Sequence, residues 1–395
     1  MSVTNRWLLP DGVDELLPPE AWSVELLRRS LLDLFSSYGY ELVTPPLIEY
    51  LESLLTGTGN DLELQTFKLT DQLTGRMMGV RGDITPQVAR IDAHLLKSQG
   101  VSRLCYADNV LHTRPAHTMT NRSPLQVGCE LFGEFSTAAD MEVISLMVET
   151  LAMAGVKDLH IDLAHVGIYR GLVASSGIKS ADQAAVFDAL SRKSIPELNE
   201  LAGRVANGGK IIEIIRDVAQ LSGGADALDK IRESVAKLKL PNSAVVMAAI
   251  DDLDAVRTQL QQRFPQLEIG FDFCELRGYS YHTGVMFAAY TPSYGYALAK
   301  GGRYDDIGKE FGESRPATGF SADLKSLMRV SGLQKRITSE DVIAPFGADT
   351  GLLAKIKELR ATRRVIQRLS SQDEDNYGCS YVLCREGDDW NVVAL

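Results

Sequence analysis

Apolar residues fall at helical spacing over residues 20–38, where Val24, Leu27, Leu31, Leu34 and Phe35 share one face behind Pro18–Pro19. Gly39 is placed to end that helix. Tyr40–Val43 has the pattern of a strand that stops at Pro45–Pro46. A hairpin follows, with Thr66–Leu69 and Arg76–Val80 joined by a polar turn at Asp71–Gly75. Thr85–Pro86 predicts a helix start, with Thr85 as N-cap and Pro86 at the first helical position. Extended patterns around Arg103–Leu111 and Leu125–Phe135 flank a loop holding Pro115, Asn121 and Pro124. Met141, Ile144, Val148 and Leu151 then mark a helix from about Ala138 to Ala154.

The pattern changes near Val166. From there to Arg263 it is almost wholly helical, broken at Gly177, Gly208–Gly209, Gly223–Gly224 and Pro241. Strand patterns return at Leu267–Phe273, Val285–Tyr290 and Tyr296–Ala299, and a helix is predicted from about Gly319 to Val330. Strand-like and helix-like segments alternate in the remaining residues. The expectation is an α+β core in two sequence halves, 1–165 and 266–332, with a helical insertion at 166–265 and a small α/β appendage at 333–395.

Composition narrows the class. The chain has 395 residues, 45% hydrophobic and 24% charged, which fits a globular protein of two or three domains. No secretory segment or spanning run is present in the pattern, so a cytoplasmic location is expected. Cys105, Cys129, Cys274, Cys379 and Cys384 are scattered without a C-x-x-C pair, so reduced thiols and no metal site are expected. The net charge of −11 offers no broad footprint for nucleic acid. Arg360, Arg363, Arg364 and Arg368 have the spacing of a solvated helix face.

Three segments carry a resemblance. Tyr38-Gly39-Tyr40-Glu41-Leu42-Val43-Thr44-Pro45-Pro46-Leu47-Ile48-Glu49 resembles the first class II aminoacyl-tRNA synthetase motif, with its proline at Pro46. Gln126-Val127-Gly128-Cys129-Glu130 is similar to the Q-x-G-x-E end of the second motif. Arg277-Gly278-Tyr279-Ser280-Tyr281-His282-Thr283-Gly284, followed by Gly301-Gly302-Arg303-Tyr304-Asp305, resembles the histidine-specific signature R-G-L-D-Y-Y-T-G and its G-G-R-Y-D partner. Together they resemble the histidyl branch over about residues 10 to 330 and imply its antiparallel sheet core.

Carried over residue by residue, the resemblance implies a histidine pocket. Asp83 and Thr85 would hold the α-ammonium. Gln126 and Glu130, four apart on a strand and so on one face, would meet the amino group and the imidazole. Arg277 would meet the carboxylate, and Tyr281, His282 and Tyr304 would line the ring. The chemistry stands by itself: a zwitterion needs a fixed acid, a fixed cation and an acceptor for a ring N–H. His282 departs from the family's second tyrosine. A leftover polar network that binds nothing is the alternative.

The nucleotide half departs further. His112 stands where the second motif has its phosphate-binding arginine, and Arg114 falls on that motif's glutamate. In a strand Arg114 would face the same way as His112, within reach of a phosphate. The third motif reads Gly319-Phe320-Ser321-Ala322-Asp323-Leu324-Lys325-Ser326-Leu327, with Ser326 replacing its arginine and Asp323 adding a carboxylate near the expected nucleotide. Each lost charge donor typically removes about 3–4 kcal/mol of transition-state stabilisation.

A histidine pocket, altered nucleotide motifs and a short tail together resemble the regulatory-subunit family of short-form ATP phosphoribosyltransferase. That resemblance implies no catalysis by this chain and no cofactor. It implies a catalytic-subunit partner in a hetero-octamer, self-association, and L-histidine as ligand in feedback inhibition. An active histidine–tRNA ligase and a histidine sensor for another partner remain the competing readings.

Overall fold

The computed structural model describes residues 7–56, 60–115, 121–174, 178–204, 209–238, 242–274, 282–307, 309, 312, 314–332 and 340–395. They form two compact units, Met1–Leu333 and Gln334–Leu395. The first helix, Glu20–Ser37, buries Val24, Leu27, Leu31 and Phe35 as their spacing requires. It ends at Ser37 with Tyr38 as its cap, and Gly39 just beyond, with a φ of 84°, lies in the left-handed region that glycine enters without a Cβ penalty.

The strands of the first unit are β1 (Glu41–Leu42), β2 (Ile48–Tyr50), β3 (Phe67–Thr70), β4 (Met77–Val80), β5 (Ser102–Asn109) and β6 (Leu125–Phe132), then β7 (His160–His165), β8 (Ser222–Gly223), β9 (Glu268–Asp272), β10 (Val285–Thr291), β11 (Tyr294–Arg303) and β12 (Ala317–Asp323). Nine build one sheet in the order β1-β5-β6-β12-β11-β10-β7-β9-β8. Its pairs are antiparallel except β1–β5 and β7–β9. The expected hairpin supplies β3 and β4, which join β2 in a separate three-stranded sheet.

One face of the large sheet is covered by helices. Val127, Cys129 and Leu131 of β6 share a core with Leu27, Leu31 and Phe35 of the first helix and with Val143, Ile144 and Met147 of helix Thr137–Met153. Arg303 turns into the same layer, where its buried guanidinium meets Asp140 at 2.8 Å and the carbonyl oxygens of Glu134 and Ser136. Residues 166–263 form helices Val166–Ala174, Ser180–Ser191, Ile195–Arg204, Gly209–Gln220, Ala225–Leu238 and Ser243–Arg263, interrupted by the short β8. Their apolar faces, including Leu172, Val186, Ile215 and Leu253, join the same continuous core. Among the described residues no helix is long and apolar enough to cross a membrane.

Two sequence expectations fail locally. Residues 317–323 are strand, and the last helix of this unit starts only at Leu324. The strand is paired along both edges by β6 and β11 and buried or half-buried at every position, so it lacks the alternation that betrays a half-exposed strand. Thr85 opens helix Thr85–Arg90 but does not cap it. Its hydroxyl donates to Glu130 at 2.9 Å, while Asp83 accepts the Thr85 N–H at 3.1 Å.

The second unit contains β13 (Val342–Ala344), helix Thr350–Leu359, β14 (Val365–Gln367), β15 (Tyr381–Glu386) and β16 (Asp389–Ala394), with strand order β14-β13-β15-β16. Val342, Ala344, Leu352, Ile356, Val365 and Leu383 are its core. The expected arginine-bearing helix face does not form, because the helix stops at Leu359. Arg363 and Arg364 instead pair with Glu340 and Asp341, and Arg360 donates to the Val365 carbonyl oxygen.

Candidate binding site

The site lies on the sheet face opposite the helical layer. Because strand side chains alternate, burying Val127, Cys129 and Leu131 leaves Gln126, Gly128 and Glu130 on this side. Glu130 is 1% exposed. Its Oε1 accepts from the Thr85 hydroxyl at 2.9 Å and the Tyr106 hydroxyl at 3.0 Å, and its Oε2 accepts from the Tyr304 hydroxyl. Burial pushes the Glu130 carboxyl up to about 8; the three O–H donors oppose that rise and the charge of Asp83 adds to it. Burial also raises the Tyr106 phenol, with Glu130 and Asp83 beside it.

Glycines make the room for this arrangement. A Cβ on Gly128 would lie 2.5 Å from the Tyr106 hydroxyl, and one on Gly319, opposite Glu130 in register, would lie 1.6 Å from Glu130 Oε2. The carboxylate therefore lies over Gly319.

Gln126 organises the neighbouring acid. Its Nε2 donates to Asp83 at 2.8 Å, and its Oε1 accepts the Ile84 N–H at 3.0 Å. Asp83, Thr85, Glu130, His282 and Tyr304 line one cavity of about 100 Å³. Buried His282 lies against Gly302, where a Cβ would be 2.7 Å from the ring. Gln126 borders the adjoining cavity while holding Asp83 between the two. Arg277 and Tyr281 lie outside the described residues.

Three functional candidates were not expected from sequence: Tyr106, Asp162 and Lys300. Tyr106 was hidden inside an ordinary strand pattern, although the glycine of Q-x-G-x-E signals that something large lies over β6. Asp162 and Lys300 line the same cavity from β7 and β11. Only sheet register brings them together, each paired with Ala288 on β10.

The adjoining cavity, about 270 Å³, holds the positions expected to meet a nucleotide: His112, Asp323 and Ser326. His112 Nε2–H donates to the Gly82 carbonyl oxygen at 2.7 Å, and its backbone is tied to Arg122 at 2.7 and 3.0 Å. Arg114 is exposed and borders neither cavity. Strand β5 ends at Asn109, so the alternation that would turn Arg114 alongside His112 is absent. Asp323 is a helix cap instead of a free charge. It accepts the N–H groups of Lys325 and Ser326 at 3.2 Å each, the Leu125 N–H at 3.0 Å and the Ser326 hydroxyl at 2.7 Å. Lys325 turns away to Asp14 at 2.8 Å. Among the described residues, no arginine lines this cavity.

Comparison with known proteins matches this division of the chain. The family model described as histidyl-tRNA synthetase matches residues 12–327, and the model described as the ATP phosphoribosyltransferase subunit HisZ C-terminal domain matches residues 339–393. A relative from Marinobacter nauticus named ATP phosphoribosyltransferase regulatory subunit is 53% identical, with 100% of both chains covered. One of the same name from Alkalilimnicola ehrlichii is 53% identical over 94% of this chain and 92% of its own. A solved Bacillus halodurans structure titled an ATP phosphoribosyltransferase regulatory subunit/histidyl-tRNA synthetase shares the fold, with a TM-score of 0.80 and 24% identity over 95% of this chain and 96% of that one.

Proposed function

The chain belongs to the family of ATP phosphoribosyltransferase regulatory subunits, and on that premise we propose that it activates a short-form catalytic subunit and, by binding free L-histidine, contributes to its feedback inhibition. It is a non-catalytic regulatory partner in histidine biosynthesis. The histidine reading adds that the ligand's amine meets Asp83 and Thr85, its ring meets Glu130 with His282 and Tyr304 around it, and its carboxylate meets Arg277.

One observation carries this reading: the described residues expected to meet an amino acid converge on one cavity, while those expected to meet a nucleotide are committed to other bonds. Glu130 is held by three hydroxyl donors beside an acid fixed by Gln126. His112 and Ser326, at the two arginine positions of the resemblance, are bonded to Gly82 and Asp323. A cavity lined with polar recognition groups but lacking a phosphate grip suits binding and regulation. Influence on the partner then takes the form of a coupling free energy between sites, typically about 1–3 kcal/mol. Self-association, a hetero-octamer with the catalytic subunit and a cytoplasmic location complete the proposal.

The test measures phosphoribosyl-ATP formation by a short-form catalytic subunit with and without this chain, then with added histidine. Higher turnover that histidine suppresses is expected. Unchanged turnover, with no co-elution at micromolar concentrations, would remove the regulatory role. Activation that histidine leaves untouched would remove the sensor role.

A further inference from the structure

We propose that Lys300 anchors the carboxylate of the amino acid bound in the smaller cavity, a binding role in addition to that of Arg277 that rests on the histidine reading above. The first argument is charge. Asp83, Glu130 and Asp162 line this cavity, and Lys300 is the one lysine or arginine among its described lining residues. A zwitterion placed there finds acids for its ammonium group, whereas its carboxylate is repelled by the Asp83 and Asp162 carboxylates and requires a cation.

The second argument is availability. The cations buried around the sheet are already committed: Arg81 to Asp108, Arg303 to Asp140, and Lys325 to Asp14. Beyond the backbone pairing of β11, the Lys300 side chain makes no hydrogen bond or ion pair with the described residues. It lies at the boundary of both cavities, with its ammonium left for a ligand.

The third argument is register. Lys300 pairs with Ser321 on β12 and Ala288 on β10, two short side chains that leave its flanks open on this face. Glu130's carboxylate lies over Gly319, two residues from Ser321 along β12. One strand spacing sideways and two residues along put the Lys300 Cα roughly 8 Å from that point. An amino acid with its ring against Glu130 directs its backbone end into this gap.

Calorimetry on the full chain tests the assignment with two probes, L-histidine and histamine, which keeps the ring and the amine but lacks the carboxylate. Lys300→Met is expected to weaken L-histidine binding at least tenfold and leave histamine binding unchanged, with Lys300→Arg recovering much of the loss. Lys300 is exposed, and an unchanged melting temperature would establish that the variant folds. Unaltered histidine affinity, or an equal loss for both probes, would overturn the role of Lys300 while leaving the histidine reading in place. No binding of either probe by the wild-type chain would overturn the histidine reading and this proposal with it.

Discussion

Glu130 illustrates how a single residue's chemistry depends on neighbours that sequence does not reveal. Its motif position and its face of the strand followed from Q-x-G-x-E and strand alternation. Tyr106 did not, because its reach over Gly128 depends on the pairing of β5 with β6. The site also has a pH signature. The folded carboxyl stays protonated up to about 8, whereas an unfolded glutamate ionises near 4.3. Between these values the unfolded state binds fewer protons, so the contribution of Glu130 to stability is greatest at low pH and declines as pH rises. Its slope is at most about 1.4 kcal/mol per pH unit. Glu130→Gln, which cannot ionise, should therefore gain on the wild type as pH goes from 5 to 8 in urea unfolding experiments. Parallel stability profiles for the two proteins would show that Glu130 is ionised throughout this range.

At the scale of elements, legibility tracked exposure. Helix Glu20–Ser37 and the β3–β4 hairpin were read correctly because one face of each meets solvent or a turn with strong chemistry. Strand β12 was mistaken for helix because burial on both sides removes alternation, and Gly319 and Ala322 carry no strand preference. The same stretch conceals the function of Asp323. From sequence it was an extra charge near a nucleotide; in the fold it holds the first turn of helix Leu324–Ser331 and the start of β6. Asp323→Ala should thus destabilise the chain by about 1–2 kcal/mol, the range of a lost cap with an added strand contact. Asp323→Asn should cost less, since it retains an acceptor. If urea midpoints show no loss for alanine, the cap contributes nothing to stability.

For the whole molecule, the two adjoining cavities differ in which of their side chains are already bonded, and the proposed division between them is testable in one assay. Pyrophosphate exchange dependent on histidine and ATP should stay at background for the wild-type chain. The double variant His112→Arg with Ser326→Arg should improve ATP binding, because a cavity of about 270 Å³ lies beside the proposed amino-acid pocket. Exchange above background in the wild type would restore the ligase reading. The bond between Asp323 and Ser326 sets a stability cost on the Ser326→Arg substitution. Ser326 is 5% exposed, and its hydroxyl is part of the cap. Reintroducing a long cation there breaks that bond and forces a buried side chain outward before any catalytic benefit can appear. Any route from this chain to ligase chemistry through residue 326 therefore passes through less stable forms, so the cap acts as a barrier that is crossed only where compensating stability was acquired first.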